Sequence, residues 1–160
     1  MTTPDIHTRL ERLLGPGRAP SDPDLLEPFA SDESGLGAFP PDAVALVESV
    51  EEIRDVLRFC SLDRVPVVPR GAGTGMSGGA LASQGGVVLS TSRMTAVLEV
   101  DEGSFLAVVQ PGLITGQFQQ DMLERGLFYP RIRPAWTIAH WAATWPKTRA
   151  APAPSSTGSP

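Results

Sequence analysis

The chain has 160 residues and a net charge of −5, which corresponds to about one domain and argues against a nucleic-acid partner. Hydrophobic residues make up 41% of it, enough for a core, but its apolar runs are too short to cross a bilayer, so no transmembrane segment is expected. One cysteine excludes an internal disulfide, and one cysteine with two histidines is too small a ligand set for a structural zinc site, so no metal is predicted.

Residues 1–40 are predicted to form an N-terminal helix and a connection. Asp5 is expected to cap the helix, which ends at Leu14 before Gly15. Its apolar face is predicted to consist of Ile6, Leu10, Leu13 and Leu14. Residues 16–40 are rich in Pro, Gly and Asp, which is typical of a surface connection. Four acids there are interpreted as solvated residues rather than metal ligands: Asp22, Asp24, Asp32 and Glu33.

Residues 41–130 alternate short apolar segments with helical patterns, which predicts an α+β domain. Five strands are expected, at residues 43–49, 65–68, 86–90, 96–101 and 105–110. The last two are separated by three residues and predict a hairpin. Pro66 and Pro69 lack an amide hydrogen, so the second strand is expected at an edge of its sheet or to have these prolines at its ends.

Two helices are expected in the same region. Ser49 and Glu52 have the S-x-x-E spacing of a capping box. The positions predicted to face the core from the helix that follows are Ile53, Val56, Leu57 and Cys60. Cys60 is interpreted as a core residue rather than a redox thiol. Thr115 is expected to cap the second helix, which presents Phe118 and Met122 on one face and ends at Gly126.

The segment PRGAGTGMSGGAL, residues 69–81, carries the strongest functional signal in the sequence. It contains five glycines: Gly71, Gly73, Gly75, Gly78 and Gly79. A backbone without side chains can approach a ligand closely, and successive amides form a concavity that binds anions. Arg70 is expected to place a positive charge at the rim, and Thr74 and Ser77 to add hydroxyl donors. This set predicts a pyrophosphate site, and a glycine-rich turn without a ligand is the alternative.

Two other phosphate-binding loops can be compared with this segment. The Walker A loop requires a lysine, and the segment contains none. Residues 73–78, GTGMSG, match the G-x-G-x-x-G of a nicotinamide-type Rossmann turn, but that turn must open a helix. Only Gly79 to Gln84 precede the next strand, which is too short for a helical crossover. A nicotinamide-dependent Rossmann reductase is therefore disfavoured but stays open.

The motifs from VPVVPRGAGTGMSGGAL, which begins at Val65, to GLFYP, which ends at Pro130, resemble those of the FAD-linked oxidases of the vanillyl-alcohol-oxidase type, and most of all their glycolate oxidase and D-lactate dehydrogenase branch. The resemblance covers about residues 40–130. The resemblance implies that the chain supplies the first lobe of a two-lobed PCMH-type FAD-binding domain, residues 41–130, of α+β class. It implies FAD as the cofactor, with its pyrophosphate in the glycine loop. The implied cofactor-binding residues are Arg70, Gly71, Ala72, Gly73, Thr74, Gly75, Met76, Ser77, Gly78, Gly79, Pro111 and Gly112.

The resemblance also implies a reaction. Members of this branch oxidise a small 2-hydroxy acid by passing a hydride to the flavin, which passes electrons to a partner subunit or another acceptor. The family's substrate residues lie in a later domain, so no catalytic residue is assigned. No histidine occurs between His7 and His140, which implies non-covalent FAD. A cytoplasmic location is expected, either free or peripheral at the inner face of the membrane. A non-catalytic nucleotide-binding module is the alternative function.

The composition changes at about residue 130. Residues 131–160 contain all three tryptophans and none of the 18 acidic residues. The resembled family continues there with a GGN-type flavin-binding stretch, whereas this chain reads RIRPAWTIAHWAATWPKTRA. Back-translation one base out of register restores GGNVAEN over residues 142–148. We therefore hypothesise a one-base frame slip near Pro130, an irregular tail over residues 131–160, and a chain without oxidase activity.

Overall fold

The computed structural model describes residues 3–130 and the pair 151–152. The helices are α1 (Thr3–Leu14), α2 (Pro23–Leu26), α3 (Val50–Asp63) and α4 (Thr115–Glu124), with a 3-10 turn at Glu27–Phe29. The strands are β1 (Ala43–Leu46), β2 (Val67–Arg70), β3 (Val87–Ser90), β4 (Val97–Asp101), β5 (Leu106–Val109), β6 (Leu127–Phe128) and β7 (Ala151–Pro152). This mixture confirms the predicted α+β class.

The tail predicted to be irregular lies outside the described residues, except for one short strand. Strand β7 pairs antiparallel with β6. In the described part of the chain, no helix is both long enough and apolar enough to cross a membrane.

Three strands form a parallel sheet in the order β1-β3-β2. All four residues of the central strand β3 are buried, as expected for a strand covered on both faces. Strand β2 lies at an edge, which confirms the position predicted from its prolines. Its bonds to β3 run through the carbonyls of Pro66 and Arg70, which accept from Val87 and Thr91, so the nitrogen of Pro69 faces the outer edge.

Helix α3 begins where the capping box predicted. The Ser49 hydroxyl accepts the Glu52 amide at 3.2 Å, and the Glu52 carboxylate accepts the Glu48 amide at 2.7 Å. Val56 and Cys60 are buried, whereas Leu57 is 45% exposed, so its predicted core position is wrong. Leu57 lies one residue beyond the buried stripe of the helix. Burial raises the pKa of the Cys60 thiol to about 11, which confirms a core cysteine.

Helix α1 packs its apolar face on the sheet through Ile6, Leu10 and Leu14. Leu13 is 45% exposed, so the prediction that it shares this face is wrong. The helix begins at Thr3, which places Asp5 in its first turn rather than at the cap. A carboxylate in the first turn still interacts favourably with the helix dipole.

A guanidinium group that the sequence analysis did not single out joins three elements. Arg18 donates to the carbonyls of Leu46 at 3.0 and 3.1 Å and of Leu14 at 3.1 Å. It also forms a two-armed ion pair with Glu52. The ends of α1 and β1 are thereby tied to the first turn of α3. The pKa of Arg18 is raised, chiefly by its hydrogen bond to Glu52.

The predicted hairpin is confirmed as β4 and β5, which pair antiparallel with an irregularity between Val97 and Glu99. It packs with α4 around an apolar cluster of its own, formed by Leu113, Phe118, Met122, Leu127 and Tyr129. Ile114, not Thr115, is the N-cap of α4, and Thr115 is its buried first residue, so the predicted cap is wrong. Gly126, with φ of 71°, follows the end of the helix as expected.

Candidate functional site

The glycine loop, residues 71–79, starts at the carboxyl end of β2. In open sheets with parallel strands, ligands bind beyond the carboxyl ends of the strands. Thr91, the residue after β3, donates its amide to the carbonyl of Arg70 at 3.0 Å. A Cβ atom added to Gly112 would lie 2.0 Å from the Thr91 carbonyl oxygen. The structure therefore brings both the beginning of the glycine loop and the Pro111-Gly112 segment against the backbone of Thr91.

The loop runs to β3 without a helix; residues 71–86 form only bends, turns and one isolated bridge. Gly73 and Gly78 have φ of 75° and 73°, a backbone region that favours glycine. Within residues 3–130, no amide of residues 71–79 donates a hydrogen bond to another protein group. Such a row of unused amides is the arrangement that binds an anion. The missing helix also argues against a nicotinamide-type Rossmann turn, as the sequence analysis expected.

Two of the glycines leave space that no described residue fills. Among residues 3–130, no atom lies within 4 Å of a Cβ built on Gly75 or Gly79, and neither glycine has a positive φ. The polypeptide therefore tolerates a side chain at these positions in both space and backbone conformation. The missing side chains at Gly75 and Gly79 therefore leave room for a molecule that binds the loop from outside. Ala72 and Thr74 are partly exposed beside them, and Met76 and Ser77 are exposed.

Arg70 does not lie at the rim of the loop, where the sequence analysis placed it. Its side chain is buried, and Nη2 donates to the carbonyl of Pro28 at 3.0 Å while Nη1 approaches the carbonyl of Ala80 at 3.5 Å. The guanidinium carbon lies 5.7 Å from the centre of the Phe29 ring. A Cβ on Gly73 would be 2.1 Å from Nη2, so the cation lies directly beneath the loop. Burial lowers the pKa of Arg70 from its usual value.

Asp32, expected to be a solvated loop acid, is partly buried beside the end of the glycine loop instead. Its carboxylate accepts the Ser34 amide at 3.0 Å and the Ser34 hydroxyl, and it interacts electrostatically with the backbone of Ala80. These bonds, the Ser34 hydroxyl first, lower the pKa of Asp32. The other three acids, Asp22, Asp24 and Glu33, are exposed as expected. Within the described residues, no group of acidic, His or Cys side chains could hold a metal.

The sequence analysis missed Asp32, Thr91 and Pro28 as neighbours of the loop. Thr91 is 8% exposed, and its hydroxyl has no hydrogen-bond partner among the described residues. Its position directly after a buried apolar strand was the one signal that could have pointed to it. Pro28 contacts Arg70 across 42 positions of sequence, and no local pattern shows such a contact.

One described groove lies away from the glycine loop. A groove of about 340 Å³ lies between α1 and α3, lined by Arg9, Arg12, Leu13, Asp55, Arg58, Phe59 and Leu62. It contains none of the predicted cofactor residues. A pyrophosphate loop binds through exposed amides, so the proposed site does not depend on this groove.

Residues 41–144 match the family described as FAD binding domain. The chain is 36% identical to D-2-hydroxyglutarate dehydrogenase of Stutzerimonas stutzeri and 37% identical to the glycolate oxidase subunit GlcD of Bacillus subtilis, each over 130 residues. Each match covers 81% of this chain and 28% of the relative. The chain thus spans less than a third of the length of these proteins.

Solved structures share the architecture. Alkyldihydroxyacetonephosphate synthase superposes with a TM-score of 0.76 at 19% identity, over 86% of this chain and 30% of that one. A structure of p-cresol methylhydroxylase with substrate bound superposes with a TM-score of 0.74 at 21% identity, over 84% of this chain and 27% of that one. At these identities the likeness shows the fold alone, and it agrees with the expected PCMH-type domain.

Proposed function

Because this chain belongs to the family of FAD binding domains, we propose that its glycine loop holds the pyrophosphate of FAD, as part of a 2-hydroxy-acid dehydrogenase or oxidase. The observation that carries the proposal is the row of unpaired amides at residues 71–79, with open space at Gly75 and Gly79. Pro111 and Gly112, which pack against the backbone of Thr91, are proposed to approach the cofactor as well.

The residues of this chain supply binding and orientation. The loop amides donate to the phosphate oxygens, and the hydroxyls of Thr74 and Ser77 are available beside them. Arg70 contributes a positive charge from beneath the loop rather than from its rim. FAD, when bound, supplies a hydride acceptor. We propose non-covalent attachment, since residues 41–130 contain no histidine.

The substrate class is a proposal taken from the relatives. Two of them are named for 2-hydroxy acids, D-2-hydroxyglutarate and glycolate, and one is named as a subunit. We propose a small 2-hydroxy acid as the substrate of the whole protein, with a partner subunit or another acceptor for its electrons. No residue of this chain is proposed as catalytic. We further propose that these 160 residues alone do not turn over a hydroxy acid.

The frame slip near Pro130 also remains a proposal. It is tested by the nucleotide sequence around codon 130 and beyond codon 160. An extra or missing base that restores the GGN-type reading supports the slip. A continuous frame that encodes the same tail in independent clones contradicts it.

The flavin site is tested by titrating the purified chain with FAD and following flavin fluorescence. Gly75→Glu places a carboxylate in the open space over the loop amides and should weaken FAD binding by about tenfold or more, a loss of about 1.4 kcal/mol or more. Gln84→Glu, which adds the same charge at an exposed position after the loop, is the control. Equal affinity of Gly75→Glu and wild type, or no binding by wild type, would contradict the proposal. Equal affinities for FAD and ADP would favour the non-catalytic nucleotide-binding module.

A further inference from the structure

One stretch of the N-terminal connection, Pro28–Leu36, contacts the glycine loop at several points. The Glu33 amide donates to the carbonyl of Gly73 at 3.3 Å, and the Asp32 carboxylate interacts electrostatically with the backbone of Ala80. The side chain of Leu36 lies 2.6 Å from where a Cβ of Gly78 would be. These contacts reach the loop near its beginning and at its end. The stretch itself precedes residue 41, where the match to the FAD binding family begins.

Arg70 connects the same stretch to the loop from below. Its guanidinium donates to the carbonyl of Pro28 and approaches that of Ala80, 42 and 10 positions away in sequence. The planar fork of an arginine can reach two acceptors in fixed directions, which a lysine cannot do. The absence of a side chain on Gly73 is what leaves room for the guanidinium.

Asp32 neutralises part of this buried charge. The Ser34 hydroxyl is the main cause of the lowered pKa of Asp32, and the charge of Arg70 adds a smaller effect in the same direction; the carboxylate in turn opposes the effect of burial on the pKa of Arg70. One oxygen of Asp32 is buried and, within the described residues, accepts no hydrogen bond. The carboxylate is thus held against the loop rather than turned to solvent.

We propose that Pro28–Leu36 is a clamp that holds the glycine loop in its ligand-accepting shape, with Arg70 and Asp32 as its positioning residues. A loop with five glycines loses much conformational entropy when it is ordered. The clamp imposes that order before any ligand arrives, so the ligand binds a preorganised row of amides. What the loop binds rests on the proposed function; that the clamp orders the loop does not.

The test measures backbone order of the ligand-free 160-residue chain by ¹⁵N relaxation. In wild type, the amides of residues 72–77 should have order parameters near the value of about 0.85 found in rigid backbone. Arg70→Met and Asp32→Asn should lower them below about 0.6, the range of flexible segments. Arg70→Lys, which retains the charge but loses the fork, should give an intermediate value.

Two control variants are matched to these changes. Arg54→Met removes an exposed arginine that pairs with Asp55. Asp22→Asn alters an aspartate that accepts the amide two residues ahead at 3.0 Å, as Asp32 does, but in α2. Neither should change the order of the loop. If Arg70→Met fails to fold, Ser34→Ala removes the main partner of Asp32 without burying or exposing a charge, and should loosen the loop by itself.

Unchanged order parameters in Arg70→Met and Asp32→Asn would overturn the clamp, as would an equal loss of order in β1 and α3. FAD titrations separate this result from the proposed function. A wild-type chain that binds no FAD but whose loop loosens in the variants supports the clamp and contradicts the proposed function. A wild-type chain that binds FAD, with unchanged loop order in the variants, supports the proposed function and contradicts the clamp. If both hold, loosening the loop should weaken FAD binding by about tenfold.

Discussion

Two arginines of this chain, Arg18 and Arg70, are largely buried, and their surroundings differ. Arg18 finds a two-armed carboxylate partner in Glu52, and its pKa is raised. Arg70 finds carbonyls, an aromatic ring and a more distant carboxylate, and its pKa is lowered by burial. A paired buried cation cross-links a fold, whereas one left partly unneutralised beneath a row of free amides attracts an anion. From this difference we expect Arg18 to matter most for the stability of the fold and Arg70 to matter most for binding of the proposed ligand.

The largest effect on stability is expected at Arg18. Arg18→Ala leaves Glu52 and the Leu46 carbonyl without their partner, which should cost about 3 kcal/mol in the free energy of unfolding. Urea denaturation measures this loss. Arg54→Ala, which removes an exposed ion pair, should stay within about 0.5 kcal/mol of wild type. A loss at Arg18 no larger than that control would remove the distinction between the two environments.

Arg70→Met should show the opposite pattern, with a small loss of stability and a large loss of FAD affinity. Met fills the space of the aliphatic stem, and Asp32 keeps its hydrogen bonds from Ser34 when the arginine is removed, so we expect a loss of only about 1–2 kcal/mol in the free energy of unfolding. FAD affinity, measured by fluorescence titration, should fall by about tenfold or more, since both the charge and the shape of the loop are lost. The comparison fails if the stability loss exceeds that of Arg18→Ala while FAD affinity is kept.

Gly73 and Gly75 distinguish the needs of the fold from those of the ligand. In Gly73→Ala, the new Cβ would clash with the guanidinium of Arg70, and alanine would have to adopt a positive φ. This variant should lose about 1–3 kcal/mol in unfolding free energy. Gly75→Ala has open space and an ordinary φ, and should stay within about 0.5 kcal/mol. Thermal or urea denaturation of the two variants decides this. Equal losses of unfolding free energy in the two variants would contradict the open space beside Gly75.

Acid should weaken both arginine sites by the same mechanism. The pKa values of Glu52 and Asp32 are lowered in the folded chain, from 4.5 and 3.8. Each therefore contributes stability that is fully present above its unfolded value and is lost as the pH falls through its lower folded value. Unfolding free energies measured by urea from pH 7 to pH 3 should show a steeper acid loss in wild type than in Glu52→Gln. Equal slopes would contradict the pairing.

The smallest effect is expected at Cys60. With a pKa of about 11 and 1% exposure, the thiol should not react with a thiol reagent at pH 8 until the chain unfolds. The rate of thiol modification with and without urea measures this. Rapid modification of the folded chain would show that α3 opens readily beside the Arg18 site.

Local signals predicted much of the fold. The capping box at Ser49, the glycine after α4 and the alternation of apolar strands each depend on residues close in sequence. The wrong predictions concern helix faces and helix caps, where the local sequence pattern fits two neighbouring positions equally well. Leu13 and Leu57 lie beside the buried faces of their helices. Asp5 and Thr115 were predicted as N-caps, but each lies inside its helix, because the helix begins at an earlier residue.

The candidate site was predicted in outline and not in geometry. The five glycines identified the loop, because glycine density is a property of the sequence itself. The positions of Arg70 and Asp32 could not be predicted in this way. Arg70 donates to Pro28 across 42 positions of sequence, and Asp32 interacts electrostatically with the backbone of Ala80 across 48 positions, so only the folded chain brings these groups together.

The outer edge of β2 affects how readily the protein associates with other molecules in a concentrated solution. An open sheet edge displays unpaired amides and carbonyls that can recruit a strand from another molecule. Pro69 directs its nitrogen, which bears no hydrogen, to that edge, so an incoming strand would lack one of its bonds in the middle of the register. The same proline precedes Arg70 and the glycine loop. The edge that leads to the ligand is therefore also the edge protected against intermolecular pairing.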